Sequence, residues 1–272
     1  MGLRERIWHR WLRRPYVLTK VFDTGSGEPV VLLHGLATSS QTWRPLIKPL
    51  QKRNWRIIAF DLLGFGVSPK PDWPDYDVHT HSRSVLASLE RLKLSEPVTI
   101  VGHSMGCLVA AHIAATQPRL VKRLVLYEPP LYADLPEFAG HMKDRDRYFR
   151  LYERVAASPK LVLRSIRVMG LMATKLAGFS LTQDNWYAFE RSLRNTIMRQ
   201  RAYDDLRGIT VPTQIIYGRL DLVVANKEVK KLFERNPHIS FHAVNDVHGV
   251  SFWSGRFLAN LLEKGRAEYT KN

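Results

Sequence analysis

A serine with a glycine two residues to either side restricts the possible folds of this chain more than any other feature. The serine is Ser104, in the run Gly-His-Ser-Met-Gly over residues 102–106. A strand-like apolar run over residues 97–101 precedes it, and a helix-like run over residues 107–115 follows it and stops before Pro118. A tight strand-to-helix turn strains the backbone of its central residue and leaves room only for glycine two positions away. The spacing therefore predicts a strand–turn–helix unit that presents the Ser104 hydroxyl as a nucleophile.

A base and an acid that could activate this serine follow later in the chain. A serine hydroxyl is a weak nucleophile, so it needs a histidine to take its proton and a carboxylate to orient that histidine. The expected order serine, aspartate, histidine is met by Asp221, after the strand-like run 213–217, and by His248, after the strand-like run 240–244. Because both residues follow strands, we expect them at the same edge of a sheet as Ser104.

Other residues could take these two roles. Glu128 is the main alternative acid, because it ends the strand-like run 124–127 and some hydrolases place their acid there. The motif context favours Asp221 over Glu128. His242 lies inside a strand pattern and His238 follows a proline in a turn, so both are weaker candidates for the base.

Two backbone amides could stabilise the oxyanion that forms when serine attacks a carbonyl. The first is the amide of Met105, which follows the nucleophile at the start of a helix, where unpaired N–H groups favour negative charge. The second is expected in the loop after the strand-like run 30–33, and Leu36 is the candidate. Gly35 allows close backbone approach there, and His34 is interpreted as a structural hydrogen-bonding residue rather than a second base.

Five motifs, in this order along the chain, resemble the α/β-hydrolase superfamily, and they cover nearly all of it. They are His34-Gly35, the run 61–68 after the strand-like run 56–60, the run 102–106, the run 218–221 and His248-Gly249. The resemblance implies an α/β fold with a mostly parallel central sheet flanked by helices. It also implies a helical cap, inserted in the chain between two strands of the sheet, that shapes the substrate pocket.

The residues of these motifs narrow the chemistry. In this superfamily an aspartate as nucleophile indicates haloalkane dehalogenases or epoxide hydrolases, and position 104 is serine. Carbon–carbon bond hydrolases typically carry asparagine before the nucleophile, where this chain has His103; this disfavours that activity without removing it. Cys107 stands where many relatives have a second glycine, and we expect it to affect helix packing more than chemistry.

We therefore expect a serine hydrolase that cleaves carboxylic esters through an acyl-enzyme intermediate. The substrate would be a small-molecule ester with an apolar acyl group. Four alternatives stay open: a carbon–carbon bond hydrolase, an amidase or aminopeptidase, an acyltransferase that excludes water, and a non-catalytic binding protein on the same fold. Fold analogy alone does not name a substrate, and nothing in the sequence indicates an oligomeric state.

The chain divides into three parts by pattern. Residues 15–128 and 209–272 are expected to form the α/β-hydrolase core, and residues 129–208, almost entirely helix-like, the cap. An apolar stripe over residues 161–176 is interrupted by arginine and lysine, so it does not predict a membrane-spanning helix. We expect this stripe to pack against the core, with a share of it lining an apolar pocket.

Residues 1–14 form an amphipathic N-terminal segment. Within residues 3–14 the apolar side chains recur at helical spacing, with five arginines around the other side. The chain has 41 Lys and Arg against 25 Asp and Glu, a net charge of +16. One interpretation is a helix that lies on an anionic membrane surface; the other is a helix docked on the protein's own surface or on a second subunit.

The sequence does not predict a nucleic-acid partner, a secreted protein, a cofactor or a metal. It contains no recognisable DNA-binding motif or RNA-binding aromatic signature and lacks the apolar central region of a secretory signal. A cytoplasmic location is therefore expected, with possible peripheral contact with a membrane.

The glycine pairs at 25–27 and 64–66 complete no nucleotide-binding pattern. His79 and His81 are followed by no third ligand at the usual metal-site spacing.

Overall fold

The computed structural model describes residues 5–132, 139–168, 178–221, 230, 233 and 235–269. Within them, seven strands form one sheet in the spatial order β1-β3-β2-β4-β5-β6-β7. The strands are β1 Lys20–Thr24, β2 Glu28–Leu33, β3 Trp55–Phe60, β4 Val98–His103, β5 Val121–Tyr127, β6 Thr213–Gly218 and β7 Ile239–Val244. β1 pairs with β3 in the antiparallel sense, and every other pairing is parallel. This sheet confirms the predicted α/β class.

The helices cover both faces of the sheet. They are α1 Arg44–Gln51, α2 Val78–Glu90, α3 Met105–Thr116, α4 Ala139–Ala156, α5 Pro159–Val168, α6 Trp186–Ser192, α7 Ala202–Arg207 and α8 Phe252–Tyr269. Short helices of the π type span Arg6–Trp11 and Leu193–Met198, and those of the 3₁₀ type span Ser40–Trp43, Pro118–Leu120 and Gln183–Asn185. One apolar cluster joins α1 and α8 to one face, and a second joins α2 and α3 to the other. A sheet covered on both faces explains why the parallel strands are continuous apolar runs.

All described elements between β5 and β6 are helical, within the range where the sequence predicts a cap. This insertion is attached to the loop after β2: Thr38 forms a β-bridge with Phe179, and the Ser180 hydroxyl donates to the Thr38 carbonyl at 3.0 Å. The same hydroxyl accepts from the Gly66 amide at 3.0 Å. The insertion therefore lies against the loops at the carboxyl edge of the sheet.

The predicted apolar stripe over residues 161–176 is only partly described, because residues 169–177 lie outside the described ranges. Leu161 is exposed, whereas Val162 and Leu163 pack against the core. Among the described helices, none combines the length and the apolar character that crossing a bilayer requires.

The strand order determines where the candidate functional residues meet. β4, β5, β6 and β7 are consecutive neighbours and run parallel, so their carboxyl ends lie side by side. Ser104 and Glu128 directly follow β4 and β5, and Asp221 and His248 lie in the loops after β6 and β7. In open α/β sheets, ligands bind outside the carboxyl ends of the strands.

Candidate active site

Ser104 occupies a strained turn between β4 and α3. Its φ of 52° and ψ of −121° are rare for a residue with a side chain. A hydrogen bond from its amide to the Tyr127 carbonyl, at 3.0 Å, holds the turn on the neighbouring strand. A Cβ on Gly102 would lie 2.6 Å from the Gly106 carbonyl oxygen, and one on Gly106 would lie 2.3 Å from that of Leu33. Both glycines are therefore required by close backbone approach, as the spacing predicts.

The structure brings Ser104, His248 and Asp221 into one hydrogen-bonded chain. His248 Nε2 lies 3.0 Å from Ser104 Oγ, and His248 Nδ1 lies 2.8 Å from Asp221 Oδ2. An ionised carboxylate only accepts hydrogen bonds, so Nδ1 carries the proton and Nε2 is free to accept one from the serine. This is the arrangement in which a histidine acts as general base toward a serine.

Glu128 lies beside the same histidine without replacing Asp221. Its Oε2 is 3.7 Å from His248 Nδ1, beyond hydrogen-bonding distance, and accepts instead from the Gly249 amide at 2.7 Å. The side chain is fully buried. Burial, reinforced by the negative charge of Asp221, raises the pKa of Glu128 to about 9. Glu128 is therefore uncharged at neutral pH, and Asp221 supplies the negative charge next to the imidazole.

His103 belongs to the same polar cluster as Glu128 and His248. It is buried, and its ring centroid lies 5.1 Å from that of His248. Burial and the neighbouring His248 hold the pKa of His103 well below its usual range, so it stays neutral. Neither of its ring nitrogens has a hydrogen-bond partner among the described residues.

His103, Glu128 and His248 are also a possible metal-ligand set. One ligand atom from each lies within 4.8 Å of the others. His248, however, is engaged on both ring nitrogens, by Asp221 and by Ser104. A metal here would have to break one of these hydrogen bonds, so the cluster does not fit a resident metal ion.

The two candidate oxyanion amides border the same serine. Leu36 lines the cavity next to Ser104. The carbonyl of Gly35, in the same peptide unit as the Leu36 amide, accepts at 2.8 Å from both His34 Nδ1 and the Thr38 hydroxyl. Because a trans peptide is planar, holding that carbonyl also fixes the opposite direction of the Leu36 N–H. Met105 opens α3, where the first N–H groups have no intrahelical acceptor.

A cavity of about 570 Å³ opens onto the serine and is lined mainly by apolar side chains. Its walls include Tyr152, Val155, Phe179, Phe189, Leu193 and Ile197. Phe189, Leu193 and Ile197 belong to α6 and the π-helix after it. They are spaced four residues apart, as on one face of a helix. That periodicity was available in the sequence. The sequence suggested that a share of the stripe over residues 161–176 lines the pocket. The side chains of residues 161–165 do not line this cavity, and the side chains of the rest of the stripe lie outside the described ones.

Cys107 lies in the first turn of α3. It directly follows residues 102–106, which carry Ser104 and are called the nucleophile turn below. Its thiol is buried and donates to the Gly102 carbonyl at 3.1 Å and to the Tyr127 carbonyl at 3.3 Å. Burial raises the pKa of the thiol well above its ordinary value. The cysteine is therefore a core residue, as expected, and contributes to holding the turn.

The comparisons with known proteins agree with this architecture. The chain matches the family model of the alpha/beta hydrolase fold over residues 28–255. It is 31% identical over 260 residues to the uncharacterized protein Rv2715 of Mycobacterium tuberculosis, covering 80% of this chain and 72% of that protein. It is 35% identical over 130 residues to the probable lysophospholipase BODYGUARD 4 of Arabidopsis thaliana. That match covers 47% of this chain and only 31% of the plant protein.

A solved structure extends the likeness to nearly the whole chain. The esterase of Exiguobacterium antarcticum superposes with a TM-score of 0.70 at 20% identity, covering 95% of this chain and 100% of the esterase. At that identity the likeness shows the fold alone. The matched family model spans most of the chain, from the first residue of β2 to the first turn of α8. The chain therefore belongs to the alpha/beta hydrolase fold family and is a hydrolase by family and fold.

Proposed function

We propose that this protein is a serine hydrolase that cleaves carboxylic esters with an apolar acyl group. The observation that carries the proposal is the hydrogen-bonded chain from Ser104 through His248 to Asp221 at the opening of an apolar cavity. The strained turn holds the serine where a bound acyl group can reach it. The substrate ester would place its carbonyl carbon over Ser104 and its acyl chain among the apolar walls.

The proposed reaction has two halves. Ser104 Oγ attacks the ester carbonyl while His248 Nε2 takes the hydroxyl proton, and the amides of Leu36 and Met105 donate to the resulting oxyanion. The tetrahedral intermediate then collapses: the bond to the alcohol oxygen breaks, and His248 gives that oxygen its proton. Water, deprotonated by His248, attacks the acyl-enzyme, and the carboxylic acid leaves as Ser104 regains its proton. Asp221 stabilises the imidazolium in both halves.

The walls of the cavity support an apolar acyl group rather than a charged one. Pockets of roughly 300–1,000 Å³ hold ligands of drug size, and the cavity falls inside that range at about 570 Å³. Burying each methylene of an acyl chain is favourable by about 0.8 kcal/mol. The plant relative is named a probable lysophospholipase, and a lysophospholipid is an ester of a long apolar acid. That name is compatible with the class of substrate proposed here.

Hydrolysis of p-nitrophenyl esters of increasing acyl length tests the proposal. The wild type should show an optimum at one chain length, and Ser104→Ala should abolish turnover at every length. Ser165→Ala is the matched control, because Ser165 is exposed on α5 and, among the described residues, its hydroxyl donates only to the Leu161 carbonyl. Leu193→Trp, which fills part of the cavity, should move the optimum to shorter acyl chains.

A second measurement separates the nucleophile from the substrate class. A fluorophosphonate should label the wild type and Ser165→Ala covalently, and mass spectrometry should place the adduct on Ser104. Labelling of Ser104 without turnover of any ester would reject the ester substrate and keep the serine nucleophile. In that case p-nitroanilides and vinylogous diketones would test the amidase and carbon–carbon hydrolase alternatives. Absence of both labelling and turnover in folded protein would reject the proposal as a whole.

A further inference from the structure

The helical segment Arg6–Trp11 presents its apolar side chains to solvent. Trp11 is 82% exposed and Trp8 is 54% exposed, and Ile7 and Leu12 beside them are also exposed. Residues 1–4 of the predicted amphipathic segment lie outside the described range. Soluble proteins rarely expose several large apolar side chains together unless the surface binds something. Docking of these tryptophans on the protein's own surface, one of the two interpretations of the sequence, is not what the structure shows.

The polar side of the segment attaches it to the body of the protein. His9 stacks on Tyr16, with ring centroids 3.7 Å apart and planes 13° apart, and its Nδ1 lies 2.8 Å from the Arg14 carbonyl. Arg83, on α2, donates to the Arg13 carbonyl at 2.7 Å. The segment is thus held through His9 and the backbone of residues 13 and 14, and the apolar side chains are directed away from the body.

A cationic cavity of about 400 Å³ lies beside this segment. Among the described residues, Arg10, Arg13, Arg14 and Arg83 line it, together with one carboxylate, that of Asp75. Arg10, Arg13 and Arg14 are exposed. Four guanidinium groups around one concave surface match the phosphate groups of an anion, because guanidinium donates two parallel hydrogen bonds to phosphate.

We propose that residues 5–14 and this arginine-lined cavity bind an anionic phospholipid surface. Trp8 and Trp11 would enter the headgroup region, where tryptophan is enriched in membrane proteins, and the arginines would contact lipid phosphates. A net charge of +16 adds a long-range attraction to such a surface. The same charge opposes a second copy of the chain as the occupant, because two arginine clusters would be brought together.

This inference is independent of the proposed ester chemistry, since none of these residues lines the cavity at Ser104. It is tested by co-sedimentation of the full chain with vesicles of phosphatidylcholine alone and of phosphatidylcholine mixed with phosphatidylglycerol. We expect binding to the mixed vesicles only, with release at high salt, because salt screens exposed charges. Equal binding to both kinds of vesicle, or to neither, would overturn the proposal.

Two pairs of variants assign the binding to this surface. W8A/W11A should lose at least tenfold in apparent affinity, whereas Trp253→Ala, which removes a 75% exposed tryptophan elsewhere, should leave it unchanged. Each arginine near an anionic membrane contributes roughly a fivefold factor. The triple substitution of Arg10, Arg13 and Arg14 by glutamine should therefore weaken binding about a hundredfold.

The matched control for charge is R91Q/R119Q/R207Q, which removes three exposed arginines from other surfaces and gives the same net charge. If both triple variants lose affinity equally, net charge alone explains the binding and the site is refuted. Circular dichroism melting curves of all variants must match the wild type, since the substituted side chains are exposed. Preferential binding of single-stranded RNA that the same variants abolish, or a dimer that W8A/W11A dissociates, would assign the surface to another partner and overturn the proposal.

Discussion

Replacement of Gly106 by alanine should damage the nucleophile turn and stability together. The added Cβ would lie 2.3 Å from the Leu33 carbonyl oxygen and 2.7 Å from that of His34, and side-chain Cβ atoms essentially never come closer than 3.0 Å to such atoms. α3 and the end of β2 must therefore separate by about 0.7 Å. Overpacking of this kind costs about 1–3 kcal/mol, even though alanine favours a helix over glycine by up to about 1 kcal/mol. The loop that moves carries the Gly35–Leu36 peptide, so catalysis should suffer as well.

The measurement is thermal unfolding followed by circular dichroism, combined with kcat for the best p-nitrophenyl ester. At about 2–4 °C per kcal/mol for a chain of this size, Gly106→Ala should lower Tm by roughly 2–12 °C. Its kcat should fall about tenfold or more, because a displaced oxyanion donor loses much of its effect. Gly208→Ala is the matched control: apart from its chain neighbours, no heavy atom of the described residues lies within 4 Å of its added Cβ, and its φ is −100°. If Gly106→Ala melts no lower than Gly208→Ala, the reasoning from close backbone approach is wrong.

Three further predictions concern the polar side chains around the serine. Asp221→Asn should lower kcat about 10⁴-fold, since the amide favours the wrong tautomer of His248; a loss below tenfold, measured with the same ester, would mean that Glu128 orients the imidazole instead. Glu128→Gln should flatten the dependence of stability on pH. In the wild type the pKa of Glu128 is about 9 against an ordinary 4.5, so its stabilising effect is fully present below pH 4.5 and is lost as pH rises toward 9. The slope is at most about 1.4 kcal/mol per pH unit, and urea unfolding across this interval should show it in the wild type and not in the variant. Thr38→Val removes one of the two short hydrogen bonds to the Gly35 carbonyl; it should lower kcat several-fold with KM unchanged, whereas a change in KM alone would assign Thr38 to substrate binding.

The fold and the nucleophile turn could be predicted because their signals are local. A parallel strand buried on both faces must be apolar throughout, so the runs before Ser104, Glu128, Asp221 and His248 were identifiable from composition and length. The glycines of the turn were predictable for a steric reason, since any Cβ there would collide with backbone atoms. The structure places a left-handed φ on Ser104, as such a turn requires.

The relation of the two carboxylates to His248 could not be predicted in the same way. Asp221 and Glu128 both follow strands that end at one edge of the sheet. Their distances from His248 Nδ1, 2.8 Å for Asp221 and 3.7 Å for Glu128, depend on the stagger of β5, β6 and β7. The orientation of the segment Arg6–Trp11 is a second example. Its amphipathic pattern is equally compatible with an inward or an outward apolar face, and the stacking of His9 on Tyr16 decides between them through a contact that no periodicity encodes.

Cys107 makes the rigidity of the nucleophile turn measurable without a substrate. It is the single cysteine of the sequence, and its buried thiol bonds to carbonyls of both β4 and β5. A thiol reagent can reach this buried thiol only when the structure around it opens locally. The rate of modification under native conditions, relative to that of an exposed thiol, therefore reports the free energy of that local opening. The rate of Cys107 modification therefore measures how often the nucleophile turn opens. A ligand that fills the cavity at Ser104 should slow the modification by the ratio of total to free protein.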